Sequence, residues 1–599
     1  MLLALVMCLA VGTASATEYV VDARAEIADD ENPGTSERPF RTIQHAAEVA
    51  RAGDTVIVRP GVYREAVILT HSGEPGLPIT FRGESGAVVT GADIVTGWER
   101  LPGDLPIYRA PWSHRFIINH TPEGVPIEHH PEDAPVWGRA EQVIVGDRQL
   151  APVGSVDEMR AIWPKLDGAK GARRIPSAAD PSTWAGAFTV DTDAGHLYIL
   201  LADGADPRGD DVTVQASARG LIFGTNPWMN REGVEHVHVS GFVFRYAASF
   251  PQRAAVWLHG RDNVLERCRI EEMSGGGVSV AGVMRDCVTR DSGHVGGGAD
   301  GDGFLNENCL WEGNSWKPIN RQWDAGGYKM TRVEGGVFRN CLFWENGGPG
   351  LWLDIDVANV LITECGFIGN ELSGLFIEIS HDITVTDSLF AANGVGRAME
   401  VEGATWAVGG IQIAESMDCV VTGNTVVENK DGITLREQGP RVLDDVPFYN
   451  RRHEIVGNVC ALNEDYQLAL WYDNAFFGWH PAERDRFGTP EAFQQHLLDT
   501  DEQLYDPAQQ GMDISHNLYW AEGGAVRFLY GTPWRPGHRQ FESLDAFQAN
   551  TAFGLGSVVE NPAFEDEEGG ALKRTLGRAG WQMARRDVTA WRSALDIEP

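Results

Sequence analysis

Sulfur is scarce in this chain. Of 599 residues eight are cysteine, and Cys8 falls inside an apolar leader. The other seven are an odd number with no Cys-x-x-Cys pair and no histidines at ligand spacing, which argues against a disulfide framework and a zinc site. Positive charge is short as well: 49 Lys and Arg against 85 Asp and Glu give a net charge of −36. Such a surface repels nucleic acid and anionic lipid headgroups, and it disfavours a polyanionic polymer unless calcium bridges the two. Beyond Leu2 to Ala10 no apolar run is long enough to span a bilayer. That run leads to Ala14-Ser15-Ala16, an A-x-A cleavage pattern. Residues 1–16 are therefore expected to be a signal peptide, and the mature protein secreted or periplasmic. Helical periodicity is missing from the repeats described next, and so is the fixed leucine ladder of leucine-rich repeats.

What fills the chain is repetition. Gly350-Leu351-Trp352-Leu353-Asp354 and Gly374-Leu375-Phe376-Ile377-Glu378 write one pattern twice, 24 residues apart. A second unit recurs with it, at Ile362-Thr363-Glu364-Cys365, Val385-Thr386-Asp387-Ser388 and Val421-Thr422-Gly423-Asn424 among others. Short β-rich segments at this period, joined by Gly and Asn turns, predict an all-β fold: a right-handed parallel β-helix, a solenoid of the pectate-lyase kind. Most of the cysteines share one repeat position and are expected to stack as small buried apolar groups.

The period is not continuous. Residues 17–92 are expected to hold an N-terminal cap and the first coils, with a short helix around Ile43-Gln44 and strands at Val56-Ile57-Val58 and Ile79-Thr80-Phe81. From 93 to 215 the repeat gives way to alternating segments such as Phe188-Thr189-Val190-Asp191, which predict an inserted β-sandwich-like domain. The main β-helix is expected over 216–530 and a closing segment, with a helix near Phe541 to Gln548, over 531–599. Insertions at roughly 395–408, 437–451 and 474–511 carry Trp406, Phe448, Tyr449, Phe476, Phe477 and Trp479, aromatics suited to sugar faces.

Candidate chemistry concentrates on the repeated pattern. Alternate strand residues share a face, so Trp352 and Asp354 point opposite to Leu351 and Leu353. If 24 residues make one coil, Asp354 and Glu378 are adjacent on strands about 4.8 Å apart. Two carboxylates at about 5 Å are the geometry of a retaining glycosidase, in which one attacks the anomeric carbon and the other protonates the leaving oxygen. Like charges placed opposite one another are otherwise destabilising. Lys329 shares the strip with Trp352 if the preceding coil has 23 residues, and Arg436 falls in register with the two acids. Lys329 and Arg436 are expected to meet the substrate or the carboxylates, and Trp352 to bind the substrate. Asp356 is the rival acid, at the point where the chain turns. His294 is expected to reach the cleft, and Gly296-Gly297-Gly298-Ala299-Asp300-Gly301-Asp302-Gly303 could form a calcium loop or a plain turn.

The segment from Gly350 to Asp354, followed by Leu375-Phe376-Ile377-Glu378-Ile379-Ser380-His381, resembles the paired motif of the β-helix β-xylosidases, glycoside hydrolase family 120. Asp324-Ala325-Gly326-Gly327-Tyr328-Lys329 is similar to a segment which that family carries one coil earlier. The close likeness covers residues about 320–392. The resemblance implies a parallel β-helix interrupted by a β-sandwich, with Asp354 as nucleophile, Glu378 as general acid/base, and His381 and Asp324 as neighbours of the site.

The expectation is thus a secreted retaining glycoside hydrolase acting on an oligo- or polysaccharide of plant or algal type, possessing no required cofactor, with calcium as an optional structural ion. Two other classes remain open. A uronate lyase or epimerase would use Lys329 or Arg436 on the proton at C5, often with calcium. A non-catalytic glycan-binding solenoid would leave the acids incidental.

Overall fold

The computed structural model describes residues 16–116, 136–299, 301–319, 321, 323–395, 408–437, 441–472, 486–499, 507–531 and 539–562. The leader up to residue 15, Asp300, Trp406, Phe476, Phe477 and Trp479 lie outside these residues.

The chain is all-β and winds as a three-sided parallel β-helix. One face stacks Tyr328–Thr331, Leu351–Asp354, Leu375–Glu378, Gly409–Ala414, Asp431–Glu437 and Leu468–Tyr472 in parallel register. A second stacks Glu334–Arg339, Ala358–Thr363, His381–Thr386 and Val420–Thr422. The third stacks Leu342–Trp344, Gly366–Ile368, Leu389–Ala391 and Thr425–Val427. Inward residues such as Leu351, Leu353, Ile362, Phe367 and Ile377 form one continuous core along the axis. The faces meet at turns of left-handed backbone. Ile355 and Asp356 leave the first face at φ 55° and 61°, and Ile379 does so at 49°. A β-branched side chain is strained there, a cost tolerated next to a site that fixes the turn.

Two corners explain the recurring Cys, Ser and Asn. Just before the third face, Cys268, Cys287, Cys309, Cys341 and Cys365 occupy successive coils, all buried and unbridged. Ser388, Asn424, Asn458 and Asn517 continue the column, the three asparagines joined by side-chain hydrogen bonds of 3.0 and 3.1 Å. Just after that face runs an asparagine ladder, Asn314, Asn346, Asn370, Asn393, Asn429 and Asn463, with amide-to-amide hydrogen bonds of 2.8–3.0 Å. Asn370 also donates to Phe343 O at 3.0 Å and accepts from the Asn346 backbone N–H at 3.2 Å. Asn370→Ala is expected to strand several of these buried groups and to lower unfolding free energy by about 2–4 kcal/mol. A urea titration reads this directly, and a loss below about 0.5 kcal/mol would mean the ladder carries no stability.

At the N-terminal end the helix Ile43–Val49, capped by the Thr42 hydroxyl accepting from His45 N–H, buries Ile43, Ala46 and Ala47 over the first coil. Between Ala92 and Ser217 the chain leaves the coil and builds two separate sheets with apolar clusters of their own. It also forms the helix Val156–Ile162, N-capped by Ser155, which alternation patterns alone do not reveal. The chain then re-enters the coil, where Phe223–Thr225 pairs with both Val67–Ile68 and Val256 to Leu258. Arg174 ties the excursion to the β-helix through Glu272, at 2.7 Å, and Asp291. Lys317 Nζ does the same by donating to Arg139 O at 2.8 Å and Ser274 Oγ at 2.7 Å. Near the other end the helix Leu544–Asn550 seats Phe547 on Phe528, ring centroids 4.8 Å apart.

Candidate active site

The site is a row of side chains pointing outward from one face, one residue per coil. Thr331, Asp354, Glu378, Ala414, Arg436 and Trp471 occupy one register position. Two residues earlier in each strand the row reads Lys329, Trp352, Phe376, Gln412, Thr434 and Ala469. Asp354 and Glu378 are direct partners across adjacent parallel strands. Strands paired in this way lie about 4.8 Å apart, so the two acids project from one face on adjacent coils.

Their surroundings differ. Lys329 Nζ lies 3.0 Å from Asp354 Oδ2, and both side chains are about 10% exposed, so this is an enclosed ion pair. Glu378 accepts from Trp352 Nε1 at 3.2 Å and from Arg436 Nη2 at 3.3 Å, with Arg441 Nη1 at 3.8 Å. Burial pushes the Glu378 carboxyl up to about 7, helped by the charges of Asp354 and Glu415 and opposed by Arg436 and Arg441. Arg436 also faces Glu415 at 3.7 Å. The arrangement places an ion-paired carboxylate beside a carboxyl held protonated to near neutrality.

The remaining expected residues fall at different distances from this centre. Asp324, in a left-handed turn at φ 49°, accepts from the Gln252 backbone N–H at 3.1 Å. Burial raises its carboxyl, Lys329 opposes the shift and Asp354 adds to it, so Asp324 belongs to the same electrostatic cluster. His381 is half-buried at the start of the next face. Its Nδ1 is 2.7 Å from Asp382 Oδ2, and its Nε2 is 3.7 Å from Asp356 Oδ1. Asp356 is more exposed than Asp354 and faces His381 rather than Glu378. His294 is fully buried, edge-to-face with Trp323 at 5.8 Å, and offers a ligand no surface in this conformation. Gly297–Gly298 is part of the coil, paired with Val278, Ser279 and Tyr328. A Cβ at Gly297 would stand 2.7 Å from the Tyr328 ring, which accounts for the glycine there. Asp302 Oδ1 accepts from Glu334 N–H at 2.9 Å.

Three neighbours escaped the sequence reading. Phe376 stacks on Trp352 at 5.1 Å, yet the repeated pattern shows only an aromatic, not its partner. Glu415 follows the register position Ala414 and turns back toward Arg436 through a left-handed residue. Arg441 comes from the hairpin Arg441–Leu443 and Val446–Phe448, which Phe448 anchors by packing with Ile379 and Met417. The length of the 437–451 insertion was the available signal for Arg441.

Comparison with known proteins settles the sense of the coil. A family model described as right handed beta helix region matches residues 232–408. The β-helix is right-handed. A second family, described as a protein of unknown function (DUF1565), matches residues 27–73. Over 91 residues the chain is 44% identical to the uncharacterized protein YwoF of Bacillus subtilis (strain 168), an alignment spanning 15% of this chain and 19% of that protein. Among solved structures, XylC in complex with xylose is similar at 14% identity, over 87% of this chain and 86% of that one, with a TM-score of 0.49. A mannuronic acid specific polysaccharide family 6 lyase from human gut microbiota is similar at 10% identity, over 97% of this chain and 98% of that one, with a TM-score of 0.45. Among the described residues no helix is long and apolar enough to cross a membrane, and no group of three or more His, Cys, Asp or Glu is placed to hold a metal ion.

The enclosed Lys329–Asp354 pair carries a stability prediction. Lys329→Met removes the cation and leaves a nearly buried carboxylate without it, at an expected cost of about 3–5 kcal/mol. Adding Asp354→Asn should restore most of that loss. A double-mutant cycle by thermal or urea unfolding measures it, and an additive double mutant would mean the two groups are not coupled.

Proposed function

We propose that the protein is a carbohydrate-active enzyme, a retaining glycoside hydrolase acting on an oligo- or polysaccharide outside the cytoplasm. The observation that carries this reading is the in-register pairing of Asp354 and Glu378 on adjacent parallel strands, in two unlike environments. Asp354, held by Lys329, is the nucleophile: it attacks the anomeric carbon and forms a glycosyl-enzyme bond as the glycosidic oxygen departs. Glu378, protonated near neutral pH, gives that oxygen its proton. The resulting carboxylate then takes a proton from water, which displaces Asp354 and releases the sugar with its configuration kept. The resemblance to the β-helix β-xylosidases makes a β-xyloside the first substrate to test. XylC, a structure holding xylose, has the same fold class, whereas lyases do too, so the carboxylate pair and not the fold supports hydrolysis.

The decisive experiment incubates the protein with a panel of aryl glycosides and with uronate polymers. Proton NMR follows the first anomer released, and ultraviolet absorbance follows any unsaturated product. A first-formed product of retained configuration is expected. An inverted product, or an unsaturated product from a uronate, would replace this reading with another.

A further inference from the structure

Trp352 is 4% exposed, and its ring is covered by Lys329 and Phe376, which leaves no face for a sugar. It is instead the centre of a stack that runs along the axis beside the carboxylates. The Lys329 ammonium sits 3.6 Å from the indole centroid on one side. Phe376 lies on the other at 5.1 Å with an interplanar angle of 25°, and the Arg436 guanidinium closes the stack 5.5 Å from the Phe376 ring. Each terminal cation is bonded to one carboxylate, Lys329 to Asp354 and Arg436 to Glu378. The indole Nε1–H itself donates to Glu378 Oε2 at 3.2 Å.

We propose that Trp352 is the positioning residue of this site: its ring face holds the Lys329 ammonium against Asp354 while its N–H orients the Glu378 carboxyl. The inference rests on the reading of the two acids as nucleophile and acid/base. The physical reasons are two. A lysine tip on a four-carbon stem is poorly fixed by one ion pair, and an aromatic face beneath it removes much of that freedom. A glutamate is equally free until a second donor at an angle to Arg436 selects one rotamer. Both constraints come from a side chain whose own rotamer is set by the packing of Phe376 and Ala414. The charged groups around Glu378 are Asp354 from the preceding coil, Glu415 and Arg436 from the following ones, and Arg441 from the hairpin. Asp324 and Lys329 lie beyond Asp354. A hydrogen bond from Trp352 favours the ionised form of Glu378, so removing it moves the titration upward.

Two variants and one spectroscopic probe test this. Trp352→Phe keeps a ring under Lys329 and loses the N–H; Trp352→Leu loses both. Trp352→Phe should lower kcat roughly 10- to 100-fold with KM within about threefold, and shift the basic limb of the pH profile to higher pH. Trp352→Leu should fall further. A variant with unchanged kcat and pH profile would overturn the inference and leave the glycosidase reading standing. Independently of activity, the protein can be labelled with 5-fluorotryptophan, and the fluorine resonance lost in Trp352→Phe assigned to Trp352. That resonance should titrate near pH 7 in the parent and stay constant in Glu378→Gln. A signal flat from pH 5 to 9 in the parent would sink the positioning role. A titrating signal in a protein without glycosidase activity would uphold the contact and sink the functional reading.

Discussion

Asp354→Ala is expected to abolish turnover, on the order of a 10⁵-fold loss of kcat/KM, and sodium azide is expected to restore part of it as a glycosyl azide of inverted configuration. The magnitude follows from losing the covalent route altogether rather than one stabilising contact. The stereochemistry follows from the space left. Alanine opens room on the face where the carboxylate stood, opposite the leaving group, and azide attacks there once instead of through two displacements. Product analysis by proton NMR identifies the anomer. Asp356 is near enough in sequence to be suspected, but it lies within the left-handed turn and faces His381. Asp356→Ala should therefore keep activity within about tenfold, and azide should do nothing for it. An azide product from Asp356→Ala and none from Asp354→Ala would exchange the two assignments.

The second large effect belongs to Glu378. Removing a general acid/base costs about 10²–10⁴ in rate, and the loss depends on the leaving group. Glu378→Ala should be nearly inert on an oligosaccharide, which needs the proton, and retain formation of the glycosyl-enzyme from a dinitrophenyl glycoside, which does not. Azide should then yield the glycosyl azide of retained configuration, the mirror of the Asp354 result. In the parent, kcat/KM should fall about tenfold per pH unit above roughly 7, because the free enzyme must carry the Glu378 proton. The same shift has a stability consequence of fixed sign. The folded-state value is raised from 4.5 to about 7, so the stabilisation is full below 4.5 and is lost as pH rises through 7. At pH 8–9 Glu378→Gln should therefore be more stable than the parent, by on the order of 1–3 kcal/mol. Denaturant midpoints at pH 5 and pH 8.5 separate the two, and a variant less stable at both would contradict the assigned environment.

The fold was legible because its rule is written in the primary structure: the acid-ended pattern at 350–354 and 374–378 steps by one coil, and the structure pairs Asp354 with Glu378. Lys329 and Arg436 were legible for the same reason, since register alone brings them to the row. What register does not report is what happens where a strand ends. Glu415 occupies a left-handed turn that redirects its side chain within one residue, and no alternation pattern marks it. Nor does it report depth. Trp352 reads from the sequence as an outward aromatic suited to sugar, and the structure closes it between Lys329 and Phe376. His294 has a similar history: it precedes a glycine-rich segment, and the coil encloses it beneath Trp323.

The row of outward residues has a consequence for how such a site can change over generations. Each coil supplies one letter at each row position, and the Leu351–Asp354 and Leu375–Glu378 strands are offset by a whole repeat of 24 residues. Gain or loss of one such stretch of codons would leave every other letter on its own face and merely lengthen or shorten the row. Ala414, standing between Glu378 and Arg436, is not a blank letter: it is buried against Trp352 and Phe376, and a larger side chain there would press on the stack. The two acids sit on adjacent lines and their cations on flanking ones, so the freedom to rewrite begins beyond Lys329 and Arg436.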